Sequence, residues 1–230
     1  MSEEKIHRDE DDFFAKLEGF YRKYKVWILS GVIGIVVVVG GYLGYVYLYE
    51  KPRMQEAQET FYKPLLYFFE QDSFNLAITG TQGTMNDVQG LLAVQDEYDG
   101  TPAGDLALYA LGVSYLNIGD AKQAAVALEE ADFMDEDEIM IGTIRLGAMG
   151  DALVETGDLS GGMAKYEEAI NRNPNPFTTP LYLKKAGMLA ERMGNYSKAL
   201  EYYERIQKDY PQSEQGQFIE KYVARAKHNL

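Results

Sequence analysis

The sequence predicts an all-α protein: a single N-terminal transmembrane helix, followed by an α-solenoid of helical hairpins and a C-terminal capping helix. Three observations predict this fold class. An uncharged apolar run of 24 residues is long enough to cross a bilayer. One pattern of small and large residues recurs every 37 or 38 residues. The apolar residues around that pattern follow helical spacing.

The apolar run is the first element, and it separates a short tail, residues 1–25, from the rest of the chain. Residues 26–49, VWILSGVIGIVVVVGGYLGYVYLY, carry no charge. As a helix they would be about 36 Å long, which spans a bilayer with some tilt. A cleaved signal peptide would have a shorter apolar region followed by small residues, whereas tyrosines and Glu50 follow this one. We therefore expect a retained signal anchor.

The charges that flank the run predict its orientation. Basic residues are in slight excess on the N-terminal side, where they are Lys16, Arg22, Lys23 and Lys25; those after the run are Lys51, Arg53 and Lys63. Such an excess marks the cytoplasmic side of a transmembrane helix. We therefore expect a single-pass protein of the inner (cytoplasmic) membrane, with a cytoplasmic N-terminus and with residues 50–230 in the periplasm or an equivalent outer space.

Two glycines in the run form a candidate packing site for another membrane helix. Gly40 and Gly44 make a small-xxx-small pair, which lets two helices approach closely. Glycine is also common in membrane spans, so exposure of this face to lipid is the alternative.

Composition and motifs argue against several classes of function. The 230-residue chain has 36 acidic and 22 basic residues, a net charge of -14, which repels a nucleic-acid backbone. It has no cysteine and two histidines, His7 and His228, so a disulfide or a thiolate site is excluded. The acidic string MDEDE, residues 134–138, lacks the central glycine of a calcium loop and is interpreted as a solvated link. We predict no catalytic residue, no metal site, no cofactor and no enzyme activity.

A repeating pattern occupies the middle of the chain. The segment GDAKQAAVALEEA begins at Gly119, and similar segments begin at Gly157 and Gly194, 38 and 37 residues further on. A fixed period of this size indicates stacked helical hairpins. Each Gly-Asp or Gly-Asn is expected to form the turn of a hairpin, with the polar side chain capping the next helix.

Both helices of each hairpin have a predicted packing face. Before each glycine, apolar and small residues recur at offsets of three, four and seven, which marks one buried helix face. These residues are Leu108, Leu111, Gly112 and Tyr115; Leu146, Met149, Gly150 and Leu153; and Leu183, Ala186, Gly187 and Ala190. After each glycine, a small residue lies where the helices approach and a large one fills the space beside it. These pairs are Ala124 and Leu128, Gly162 and Tyr166, and Ala199 and Tyr203.

Two less regular segments flank the repeats. Residues 50–101 have a degraded periodicity and are interpreted as an irregular first helical hairpin, with a short helix around Leu91 and Val94. Residues 212–230 are interpreted as a helix that caps the end of the stack. Its apolar face is expected to contain Phe218, Ile219, Tyr222 and Val223.

The repeating positions resemble the tetratricopeptide repeat, whose consensus places Leu, Gly and Tyr in the first helix and Ala, Phe or Tyr, and Pro in the second. The resemblance covers residues 102–211 as three repeats. The usual period is about 34 residues, so the links between these repeats are longer than is typical.

The resemblance implies that the first helix of each repeat lines a concave groove that binds a protein partner. The groove residues expected from it are Tyr109, Val113, Leu116, Asn117, Gly147, Asp151, Glu155, Lys184, Met188 and Arg192. Repeats that bind an acidic chaperone tail present clustered lysine, arginine and asparagine, whereas this groove offers Asp151 and Glu155. We therefore do not expect that class of partner.

The whole layout resembles the YfgM family, which are ancillary subunits of the bacterial SecYEG translocon that are tied to periplasmic chaperones. The features that this chain has in common with that family are a short acidic tail, one signal anchor and an external repeat domain. Residues 98–120, YDGTPAGDLALYALGVSYLNIGD, are similar to the start of that family's repeats. The resemblance implies a non-enzymatic adaptor that docks beside the translocon through its membrane helix. Its groove would then meet unfolded clients or periplasmic chaperones.

Two alternatives remain open from the sequence. The first is a structural scaffold subunit of an outer-membrane assembly or secretion machine, with no contact to unfolded polypeptides. The second is an organelle import receptor whose repeats lie in the cytosol, although it lacks the basic groove residues that such a receptor would use.

Overall fold

The computed structural model describes residues 3–70, 73–81, 87–133 and 139–230, and these are almost entirely helical. The chain divides into two compact units, Met1–Arg53 and Met54–Leu230. The all-α fold class predicted from the sequence is confirmed.

The first unit consists of helix α1, Glu3–Tyr45, and a π-helical turn, Val46–Glu50. In the described part of the chain, one helix is long and apolar enough to cross a membrane, and none of its most apolar stretch is buried. Val37 and Val38, for example, are 67% and 71% exposed. Exposed valines at the centre of a helix favour contact with lipid over a place in a protein core.

The second unit contains the remaining helices, α2 to α12. Their bounds are α2 Lys51–Glu70, α3 Phe74–Thr79, α4 Leu91–Glu97, α5 Pro102–Asn117, α6 Ala121–Glu130, α7 Ile139–Thr156, α8 Leu159–Arg172, α9 Thr178–Arg192, α10 Tyr196–Asp209, α11 Glu214–Gln217 and α12 Glu220–His228. Helix α2 begins three residues before the second unit does. The repeats form three hairpins, α5–α6, α7–α8 and α9–α10, and each helix contacts mainly its neighbours along the chain.

Each hairpin turns at the glycine that the sequence predicted. Gly119, Gly157 and Gly194 have φ values of 83°, 94° and 76°, which side chains other than glycine rarely adopt. The polar residue that follows caps the second helix, as predicted. The carboxylate of Asp158, for example, accepts a hydrogen bond from the amide of Gly161 at 2.8 Å, and Asp120 and Asn195 do the same in the other two hairpins.

The two helices of each hairpin pack through a notch, which is a glycine in the first helix that faces a large side chain of the second. Gly112 faces Leu128, Gly150 faces Tyr166, and Gly187 faces Tyr203. A Cβ atom added to Gly150 would lie 2.5 Å from Cε1 of Tyr166, which is too close for two carbon atoms. All six residues are buried. The predicted packing faces of the hairpins are therefore confirmed.

Two arginines hold the long link between the first and second hairpins. Arg145 donates a hydrogen bond to the carbonyl oxygen of Leu128 at 2.6 Å, near the end of α6, where helix carbonyls have no partner within the helix. Arg172 donates to the carbonyl oxygen of Phe133. Residues 134–138, which we interpreted as a solvated link, lie outside the described residues.

The flanking segments are less regular than the repeats. Residues 50–101 contain α2, α3 and α4, and Ala57 of α2 is buried in the same apolar cluster as Leu91 of α4 and Leu108 of α5. At the other end, Ile219 and Val223 are buried as expected, but Phe218 is 62% exposed. The prediction for Phe218 was wrong because the helix breaks there: α11 ends at Gln217 and α12 begins at Glu220.

Candidate partner-binding groove

The first helices of the three hairpins, α5, α7 and α9, line a cavity of about 510 Å³. Nine of its thirteen lining residues are aliphatic or aromatic, and the other four are polar or charged. The walls are formed by Tyr109, Val113, Leu116, Asn117, Ile144, Ala148, Asp151, Val154, Glu155, Tyr166, Leu181, Tyr182 and Lys185. Tyr166 belongs to α8 and the other lining residues to α5, α7 and α9, so the cavity exists only when the hairpins are stacked.

A smaller cavity of about 250 Å³ continues from the first one. Both are lined by Asp151, Val154, Tyr166 and Lys185, and the smaller one adds Met188, Leu189 and Arg192. We refer to the two cavities together as the groove.

Eight of the ten residues that the sequence predicted for the groove line it. They are Tyr109, Val113, Leu116, Asn117, Asp151, Glu155, Met188 and Arg192. The structure therefore brings together most of the predicted set, although binding of a partner to it stays a prediction.

The other two residues do not line the groove. Gly147 is buried, and a Cβ atom at this position would collide with the ring of Tyr182. Its role is therefore to make room for Tyr182. The amino group of Lys184 lies 5.2 Å from the ring centre of Tyr222 in the capping helix. Its neighbour Lys185 takes the place in the groove, although Met188 and Arg192 further along α9 line it as expected.

An ion pair between two hairpins forms the floor of the groove. The amino group of Lys185 donates to both carboxylate oxygens of Asp151, at 2.7 and 2.5 Å. The hydroxyl of Tyr166 donates to the same carboxylate at 2.7 Å. The side chains of Lys185 and Asp151 are 33% and 31% exposed. Two opposite charges therefore compensate each other at a place that a partner would touch.

Burial keeps the hydroxyl of Tyr166, which donates to Asp151 at the floor, in its protonated form. Burial, reinforced by the neighbouring carboxylate of Asp151, raises the pKa of Tyr166 above its ordinary value. The phenol therefore stays protonated and keeps donating to Asp151. Because Lys185 and Asp151 are paired with each other, the floor presents no unpaired positive or negative charge to a partner. The walls present apolar side chains.

Charged and polar groups occur at the rim of the groove. Asn117, Glu155 and Arg192 are exposed, and the side chain of Met188 is 47% exposed beside them. Methionine adapts its shape to different apolar partners. The groove therefore has a polar rim around an apolar interior, as protein-binding surfaces do.

Several groove residues were missed from the sequence, notably Tyr182, Lys185, Ile144 and Leu181. The series Leu181, Lys185, Met188 and Arg192 follows helical spacing and would have shown the correct face of α9. Lys185 and Asp151, with opposite charges on first helices of adjacent repeats, were a second available signal.

The glycines of the membrane helix lie outside the groove, in the first unit. A Cβ atom added at Gly40 or Gly44 would meet no other atom within 4 Å. Close packing within this unit therefore does not explain the two glycines, and their packing against a partner helix stays a prediction.

Comparison with known protein families supports the repeat assignment. Residues 106–131 and 183–213 match the tetratricopeptide repeat family. The matches fall on the first and third hairpins, and the helical repeats of this chain are therefore similar to tetratricopeptide repeats. None of the curated proteins matches this chain. Repeats of this kind indicate a protein–protein interaction module.

Proposed function

We propose that this protein is a membrane-anchored interaction adaptor of the cell envelope, whose groove receives an apolar segment of a partner polypeptide. The observation that carries the proposal is the pairing of apolar walls with a compensated ionic floor. Desolvating an unpaired charge would oppose the binding of an apolar chain. The Asp151–Lys185 pair avoids that cost at the floor, whereas the charges of Glu155 and Arg192 lie at the exposed rim.

We further propose that the partner is a secreted polypeptide in an unfolded state or a periplasmic chaperone, and that the protein is an ancillary subunit of the SecYEG translocon. The layout shared with the YfgM family supports this role. Gly40 and Gly44 would seat a translocon helix against α1, which leaves the groove free for the emerging chain. A structural scaffold of an envelope machine is the alternative, because a fixed subunit can fill the same apolar groove.

Suppression of aggregation distinguishes a client-binding adaptor from a scaffold. The full chain in lipid nanodiscs should delay the aggregation of a reduced, unfolding model protein at near-stoichiometric amounts, measured by light scattering. Val113→Asp places a carboxylate in the apolar wall, and we expect about tenfold more of this variant to be needed.

Val126→Asp is the matched control, since Val126 is 52% exposed on α6 and lines neither cavity. The same charge is added there without touching the groove, so the variant should act like the native chain. Failure of the native chain to delay aggregation would favour the scaffold. Equal loss in both variants would show that the groove is not the site.

The orientation of the chain can be tested with a single introduced thiol, because the sequence has no cysteine. Ser197 is exposed near the start of α10, and we expect Ser197→Cys to react with a membrane-impermeant maleimide in intact spheroplasts. Ser2→Cys, in the tail, should react only after the membrane is opened. The reverse pattern of labelling would place the repeats in the cytoplasm and contradict the proposal.

A further inference from the structure

Tyr182 is a deeply buried residue of the groove. Its side chain is only 3% exposed, and the edge of its ring lies in the space that Gly147 leaves on α7. This contact joins the second and third hairpins in the same way that the notches join the helices within a hairpin. The ring is therefore fixed in position before any partner arrives.

The hydroxyl of Tyr182 has no protein partner within the described part of the chain. The hydroxyls of Tyr166 and Tyr202 donate to Asp151 and Glu167, whereas that of Tyr182 makes no such bond. Among the described residues, three side-chain polar atoms are fully enclosed and lack a hydrogen-bond partner: Arg145 Nε, Arg172 Nε and the hydroxyl of Tyr203. The hydroxyl of Tyr182 is not one of these three, so it is not fully enclosed. Since Tyr182 lines the groove, its hydroxyl keeps access to the cavity.

Burial makes this hydroxyl a neutral donor. Burial, with smaller effects from Tyr109 and Asp151, raises the pKa of Tyr182 above its ordinary value. The hydroxyl therefore keeps its proton at physiological pH. A partner that covers the groove would displace water from this hydroxyl, and a buried polar group left without a hydrogen bond is costly. An acceptor on the bound partner would therefore be favoured at this point.

The chemistry around Tyr182 restricts what that acceptor is. In the cavity that Tyr182 lines, the cation Lys185 is occupied by Asp151, and Asp151 is occupied by Lys185 and Tyr166. A carboxylate on a partner therefore finds no open cation beside Tyr182. The neighbouring walls are apolar, with Ile144, Ala148 and Leu181 among them. The neutral acceptor that every apolar polypeptide segment carries is its main-chain carbonyl group.

We infer that Tyr182 is a binding residue of the groove, and that its hydroxyl donates a hydrogen bond to a main-chain carbonyl of an uncharged, apolar polypeptide segment. This inference rests on the proposed function. It adds the class of ligand, and it explains how one groove accepts different apolar sequences: the hydrogen bond depends on the main chain, and the walls require only apolar side chains.

The experiment measures the binding of a defined peptide to the full chain in nanodiscs. The probe is a nine-residue peptide of Leu, Val, Ala, Ser and Gly with blocked ends and a neutral fluorescent dye, followed by fluorescence anisotropy. Titration against empty nanodiscs corrects for uptake by lipid. Tyr182→Phe removes only the hydroxyl and keeps the ring beside Gly147, and we expect it to bind the peptide about three- to tenfold more weakly.

Tyr202→Phe is the matched control, because the hydroxyl of Tyr202 is bonded to Glu167 and Tyr202 lines neither cavity. The affinity of this variant for the peptide should equal that of the native chain.

A second peptide with a central aspartate should bind more weakly than the neutral one. Equal binding by the native chain and Tyr182→Phe would overturn the inference and leave the proposed function standing. Equal binding of both peptides would overturn the ligand class. No binding of the neutral peptide to the native chain would contradict both proposals.

Discussion

Replacing Tyr203 with alanine is expected to lower the free energy of unfolding by about 3–5 kcal/mol, as is typical when a large buried aromatic side chain is removed. Tyr203 is fully buried, and its ring fills the notch at Gly187. Alanine would leave a cavity between α9 and α10 that close-packed helices do not readily collapse to fill. Urea unfolding of the full chain, followed by circular dichroism, measures the change through the midpoint of the transition.

Tyr203→Phe is the control for this prediction. The hydroxyl of Tyr203 is buried, and among the described residues it makes no hydrogen bond of normal geometry, although the guanidinium of Arg225 lies near it. Phenylalanine keeps the ring in the notch and removes only this poorly bonded hydroxyl, so the free energy of unfolding should change far less than in the alanine variant. If the alanine and phenylalanine variants unfolded at the same urea concentration, filling of the notch would not be what holds α9 and α10 together.

Introducing two arginines at the centre of the apolar helix is expected to remove the protein from the membrane. Val37 and Val38 lie near the middle of residues 26–49 and are exposed. Each arginine costs roughly 2.5–3.5 kcal/mol at the centre of a membrane-spanning helix, so Val37→Arg with Val38→Arg costs about 5–7 kcal/mol. After alkaline carbonate extraction, the native chain should sediment with the membranes and the double variant should stay in the supernatant.

The same two positions supply the control for membrane insertion. Val37→Leu with Val38→Leu changes both residues but keeps the helix apolar, so this variant should sediment like the native chain. Retention of the arginine variant in the membrane pellet would mean that this helix does not span the bilayer and that another part of the chain holds the protein there.

The repeat architecture could be predicted from the sequence because residues close together in the sequence specify it. A glycine with a positive φ value followed by a capping Asp or Asn occurs at each turn, as at Gly157 and Asp158, and such turns tolerate few other residues. Small and large residues at helical spacing then identify the buried faces. Nothing in these signals depends on how one hairpin sits on the next.

The residues of the groove could be predicted less completely, because they depend on contacts between hairpins. We aligned the repeats by their period, which placed Gly147 and Lys184 in the groove. The seating of the Tyr182 ring against Gly147 sets the face that α9 presents, and Lys185 lines the groove in consequence. One contact between hairpins thus decided the positions that periodicity could not assign. The exposure of Phe218 has a similar origin, since the break between α11 and α12 is not visible in a helical pattern.

The three notches also restrict how this sequence can evolve. In each one, a glycine and a bulky partner sixteen positions later share a single volume, so enlarging the first residue is tolerated only after the second has become smaller. Either change alone is harmful, whereas the two together can be neutral. Descendants of this gene should therefore inherit such substitutions as couples. Correlated changes at a separation of sixteen, once in every repeat, are the evolutionary trace that this packing would leave.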